Sequence, residues 1–136
     1  MMISFIELQN KIYEYGERIN APRDLLRVFG GPQSDGTPYV EVLWSKYVYA
    51  SEERGREFDR RETDDLDLLC YWIMELVVST LSYDYELRNR KYNQDSRRIA
   101  FAKMVELMGI LSPVWRDRMQ ESINETLKNA PYRDVR

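Results

Sequence analysis

Glu62, Asp64, Asp65 and Asp67 stand close together and are the strongest candidates for chemistry in the chain. Two carboxylates of such a group can hold a divalent cation through their oxygens. They also stand where an apolar helical stretch is about to begin, and the positive end of a helix favours negative charge. Capping and solvation are therefore the expected roles, and no metal site is predicted. The chain has no histidine, which removes the commonest general base and a leading metal ligand. Cys70 is the single cysteine; it has no histidine to activate it and lies in an apolar stretch, as an inert core thiol does. Neither a GxGxxG nor a GxxxxGKS phosphate loop is present. No catalytic residue and no cofactor is expected, and the chain reads as a protein that is not an enzyme.

Binding chemistry is better represented. Among three tryptophans and ten tyrosines, Trp72 and Trp115 recur at helical spacing with other apolar residues and read as core. Tyr39, Trp44, Tyr47 and Tyr49 fall on strands or turns, where aromatic residues can anchor an interface. The net charge of −3 argues against general nucleic-acid binding, which needs a concentrated basic surface. Arg60-Arg61 and Arg97-Arg98 are flanked by Asp59, Glu62, Asp64 and Asp95 and read as local ion pairs, and Glu75, Glu86, Arg88, Arg97 and Arg98 are expected to form a structural ion network between helices. A mildly acidic protein suits a basic partner, because opposite fields speed encounter.

The elements that must position these residues follow from local pattern. Ser4-Phe5-Ile6-Glu7 has the form of a capping box. Phe5, Leu8, Ile12, Tyr15 and Ile19 then draw one stripe down a first helix over residues 4–19. Arg23 to Phe29 fits either a further helical turn or a short strand. Residues 30–38 concentrate Gly, Pro, Ser and Asp and read as an internal loop. Tyr39 to Glu62 changes to β character, with Trp44-Ser45 and Arg54-Gly55 as two-residue turns of a three-stranded antiparallel meander.

Pairing Leu43 with Lys46 sets the faces, since opposed residues share a side. Val40, Val42, Tyr47, Tyr49 and Phe58 are expected on an apolar side. Tyr39, Glu41, Val48, Glu52, Glu57, Asp59 and Arg61 are expected on an acidic, wet side. A charged third strand with Glu57, Asp59 and Arg61 is defended against edge pairing.

Thr63 is the expected cap of a second long helix. Its inward stripe is Leu66, Leu69, Cys70, Ile73, Leu76, Val77, Thr80 and Leu81. Leu68, Tyr71, Trp72, Met74 and Val78 widen the stripe almost all the way round, as in a buried central helix. Asp95 or Ser96 caps a third helix, buried through Ile99, Ala102, Val105 and Met108, or through Met104 and Leu111. Ser112-Pro113 starts a last helix carrying Trp115, Met119, Ile123 and Leu127. The fold class is α+β: one helix, three strands, three helices.

At 136 residues the chain fits one domain, residues 1–136, with a core that needs no metal or disulfide. Met1-Met2-Ile3-Ser4-Phe5 shows no basic region leading into a long apolar run. The longest apolar run, within Leu66 to Leu81, is broken by Asp67 and Glu75 and reads as too short and too charged to span a bilayer. A soluble cytoplasmic protein without membrane contact is expected.

Glu52-Glu53-Arg54-Gly55, Arg60-Arg61-Glu62-Thr63-Asp64-Asp65 and Tyr71-Trp72 form a familiar series. Tyr85-Glu86, Asp95-Ser96-Arg97-Arg98 with Phe101, and Trp115-Arg116-Asp117-Arg118 continue it. Over roughly residues 38–120 the chain resembles the immunity protein 63 family of bacterial polymorphic toxin systems. The resemblance implies an antitoxin that binds a cognate bacterial toxin domain, encoded by an adjacent gene, and blocks it. It transfers no catalytic residue, and its Arg, Asp, Tyr and Trp positions admit a structural role.

The expected partner-binding residues are Tyr39, Glu41, Glu52, Glu57 and Asp59, with Tyr39 as the anchor and the carboxylates suited to a basic groove such as that of a nuclease. Two alternatives stand beside this reading. One is a small-molecule or enzymatic pocket between sheet and central helix; the other is a structural or adaptor subunit.

Overall fold

Ser4 and Glu7 form the capping box that their spacing predicts. The Ser4 hydroxyl accepts from the Glu7 amide at 3.1 Å, and the Glu7 carboxylate accepts from the Ser4 amide at 3.2 Å. Helix α1 then runs Phe5–Arg18. The computed structural model describes residues 2–135, which gather into two units divided between Met74 and Glu75.

In the first unit α1 buries Leu8 and Ile12 and half-buries Phe5 and Tyr15, and Ile19, which caps its end, is buried as well. Gly16 faces the Leu26 side chain so closely that a Cβ would overlap it. This seats a 3-10 turn, Arg23–Leu26, against the helix. Gln9 pins the segment that follows: its amide donates to the Leu26 carbonyl at 2.8 Å and accepts from the Val28 amide at 2.7 Å. Of the two readings of Arg23 to Phe29 the helical turn is the one formed, and Phe29 makes only an isolated parallel bridge to Tyr39.

The sheet has the order β1-β2-β3, with β1 Tyr39–Val42, β2 Tyr47–Glu53 and β3 Arg56–Thr63, all antiparallel. Leu43 donates to the Lys46 carbonyl at 2.9 Å, so the Trp44-Ser45 turn closes in the expected register. Arg54 and Gly55 both have positive φ, at 52° and 80°, as the turn that suits right-twisted strands requires. The loop before β1 extends the sheet, with Gly36 donating to the Glu52 carbonyl and Arg54 to the Ser34 carbonyl.

Helix α2, Leu66–Arg88, starts two residues later than Thr63 would set it. Asp65 is the cap: its carboxylate accepts from the Asp67 amide at 3.0 Å, while Thr63 accepts from Asp65. In this unit α2 buries Leu69, Cys70, Tyr71, Ile73 and Met74. The helix is long and apolar enough by length and composition to cross a membrane, which corrects the reading of the stretch as too short and too charged. The same criterion is met by core helices of folded domains, and these five side chains are buried in the fold.

In the second unit the remainder of α2 buries Val77, Val78, Ser82 and Glu86 and leaves Leu76 and Thr80 exposed. The inward stripe expected from sequence is therefore rotated. A helix apolar on most sides carries no internal mark of which side is covered. Helix α3, Ser96–Leu111, shows the same effect: Ala100, Phe101, Met104, Leu107, Met108 and Leu111 are buried, whereas Ala102 is exposed. Ser112 ends α3 and caps α4, Pro113–Asn129, by accepting from the Trp115 amide at 3.2 Å. Trp115, Met119 and Ile123 form the buried side of α4, as the spacing predicts.

The C-terminal segment folds back on the start of α3. Asp95 caps that helix, pairs with Arg97 at 2.9 Å and accepts from the Arg133 amide at 2.7 Å. Arg97 also donates to the Ala130 and Pro131 carbonyls, and Arg98 pairs with Asp134 at 3.0 Å. Of the residues expected to form a network between helices, Glu86 pairs with Arg90 and Arg88 with Asp84, each one turn apart, while Arg97 and Arg98 tie to the C-terminal segment.

Candidate functional site

The candidate surface is one face of the sheet, and its membership is decided by pairing. Glu41 opposes Val48, Tyr39 opposes Ala50, Val48 opposes Glu62 and Ala50 opposes Arg60. Glu52 opposes Glu57, but Ser51 opposes Asp59, so Phe58 is the extra residue of a β-bulge. Beyond the bulge the alternation of β3 is inverted. Asp59 and Arg61 move to the side of Tyr47 and Tyr49, and Arg60 and Glu62 replace them beside Glu41 and Glu52. The expected face thus keeps Tyr39, Glu41, Glu52 and Glu57 and loses Asp59 and Arg61. Phe58, expected in the apolar set, is 60% exposed at the bulge.

This face is less wet than its sequence suggests. Tyr39, Val48 and Ala50 are buried under Phe29. Tyr39 is only 4% exposed and in this structure is a floor beneath the carboxylates instead of a protruding anchor. Burial raises its hydroxyl pKa above the usual value, and the Glu57, Glu52 and Glu41 carboxylates push it the same way.

Cations interleave with them. Arg60 pairs with Glu62 at 2.7 Å and Glu57 at 3.3 Å, and Lys46 pairs with Glu62 at 2.5 Å. Hydrogen bonds from Lys46 and then Arg60 hold the Glu62 carboxyl below its ordinary range. Lys46 and Arg60 thus face four carboxylates, Glu41, Glu52, Glu57 and Glu62, and the surplus is negative. Glu52 and Glu57 lie directly opposite each other, an arrangement that is unfavourable by itself and is relieved on one side by Arg60.

Of the four aromatic residues with anchor potential, Tyr39, Tyr47 and Tyr49 are buried, whereas Trp44 is 96% exposed at the tip of the first hairpin. Tyr47 accepts from the Ile3 amide at 3.0 Å, and Tyr49 stacks on Trp72 with ring centres 6.3 Å apart. Arg61 lies across both rings.

The chemical candidates have structural duties. Glu62 is engaged by Lys46 and Arg60, and Asp65 caps α2. Cys70 is buried, and that burial pushes its thiol pKa up to about 12. Among the described residues no three His, Cys, Asp or Glu side chains gather as a metal site. Sequence reasoning missed Lys46 and Arg60 as members of the face; a basic residue in register with Glu62 was the available signal, but only the bulge shows it.

By fold and surface the chain is a small α+β protein whose candidate site is a charged sheet face ending in an exposed aromatic turn. The sequence model of immunity protein 63 matches residues 44–125, 82 of the 136 residues, and the chain belongs to that family. No curated protein and no solved structure matches it. Several residues that carry the resemblance have structural work: Arg61 covers Trp72, Tyr85 receives Lys103 over its ring, Asp95 caps α3 and Trp115 is buried.

Proposed function

We propose that this protein is a stoichiometric antitoxin that acts in the cytoplasm of the producing bacterium, binding a toxin domain encoded beside it. The observation that carries the reading is the family match across 82 of the 136 residues. The proposed contact surface is the face formed by Glu41, Glu52 and Glu57 above Tyr39, without Asp59, which lies on the other side of the sheet. Surplus negative charge on this face suits a basic partner and speeds its approach. In a toxin that cleaves nucleic acid, the carboxylates would stand where substrate phosphates otherwise lie.

The test is co-purification of the chain with the product of the neighbouring toxin gene, scored by rescue of growth. A tight complex that restores growth supports immunity. Charge reversal at Glu41, Glu52 and Glu57 should then slow association by about tenfold or more at low salt. Unchanged association would discard this face and leave immunity standing. A folded protein that neither binds nor rescues would end the reading.

A further inference from the structure

Among the described residues Trp44 has no hydrogen bond, ion pair or ring contact that explains its type. It is 96% exposed, and its neighbour Leu43 is 39% exposed. The other two tryptophans have places in the fold: Trp115 is fully buried, and Trp72 is half-buried beneath Arg61 and against Tyr49. Turn tips ordinarily carry Gly, Asn, Asp or Ser, whose backbone preferences or side-chain hydrogen bonds favour the turn. A tryptophan supplies neither, and it leaves a large apolar surface in water.

The tip is also held in place. Leu43 donates to the Lys46 carbonyl at 2.9 Å, and Lys46 is tied to Glu62 of β3 at 2.5 Å. An exposed ring on a fixed hairpin loses little freedom when it enters a pocket, which is the usual character of an interface hot spot. Glu41 lies three residues before it, on the face with surplus negative charge.

We infer that Trp44 is the anchor of the toxin interface, inserting into an apolar pocket rimmed by basic groups on the partner. The inference rests on the immunity reading and adds a division of labour to it. The carboxylates of the sheet face govern how fast the partner arrives, and Trp44 governs how long it stays.

The experiment is association and dissociation kinetics of the full chain against the toxin domain encoded beside it, at two salt concentrations. Trp44→Ala should speed dissociation by about tenfold or more, leaving the association rate, its salt dependence and the melting temperature unchanged. Trp44→Phe should recover much of the lifetime. Dissociation at the wild-type rate in Trp44→Ala would overturn the anchor while leaving immunity intact. Absence of any complex with the wild-type chain would overturn both.

Discussion

The guanidinium of Arg61 lies 5.2 Å from the centre of the Trp72 ring, on the side of the sheet opposite to the one that simple strand alternation assigns it. The bulge at Phe58 puts it there, and Tyr49 completes the stack at 5.1 Å. Arg61→Ala should cost about 0.5–1 kcal/mol of stability, read by chemical denaturation. Arg61→Lys should recover only part of this, because an ammonium cannot lie flat across two rings. A silent Arg61→Ala would mean that the guanidinium rests on the rings without binding them.

Trp115 and Trp44 should respond in opposite ways to truncation. Trp115→Ala empties a fully buried site and should cost about 3–5 kcal/mol. Trp44→Ala should stay within about 0.5 kcal/mol of wild type. Acrylamide quenching gives an independent check, since removing Trp44 should abolish the most accessible component of the emission.

Gly16 should not tolerate a side chain. Alanine gains helix propensity of up to about 1 kcal/mol, but its methyl group would run into Leu26, and overpacking typically costs about 1–3 kcal/mol. Gly16→Ala is expected to lower the melting temperature. In a Leu26→Ala background the same substitution should cost less, and equal costs in the two backgrounds would refute the contact.

Asp95 should make the fold acid-sensitive in a defined direction. Hydrogen bonds from the Arg97 side chain and the Arg133 amide hold its carboxyl well below the ordinary 3.8. A group whose folded pKa is depressed contributes stability that is complete above its unfolded value and is lost as pH falls toward the folded one. Asp95→Asn should therefore be less stable than wild type at neutral pH. That gap should narrow progressively below about pH 4, as followed by thermal melts. A gap independent of pH would remove the ionic part of the explanation.

Cys70 should be inert in the folded chain. With its thiol raised to about 12 by burial, almost no thiolate exists at pH 8. A thiol reagent should label it only after denaturant is added, and labelling of the native protein at an ordinary thiol rate would show that the site opens.

Signals that act over a few residues were legible in the sequence. The Ser4–Glu7 box, the Asp95 and Ser112 caps, the Arg54-Gly55 turn and the Leu43–Lys46 register all depend on neighbouring backbone groups, so residue type at fixed spacing determines them. The α+β order followed from the same short-range patterns. Part of the candidate face, Glu41, Glu52 and Glu57, was readable because it lies close to the two turns that set the register.

Tertiary structure decided the rest. A bulge leaves no mark in a strand as charged as β3, because either register exposes similar side chains and neither is penalised locally. Tyr39 became a floor because Phe29, ten residues earlier, bridges to it and covers Val48 and Ala50. Helices α2 and α3 carry apolar residues on several sides, so only the elements that cover them select which are buried. Sequence by itself determined the order of the elements, most of their caps and both hairpin turns, while the start of α2 moved from Thr63 to Asp65; which face each element presents was decided by packing, because burial depends on what the rest of the chain brings against it.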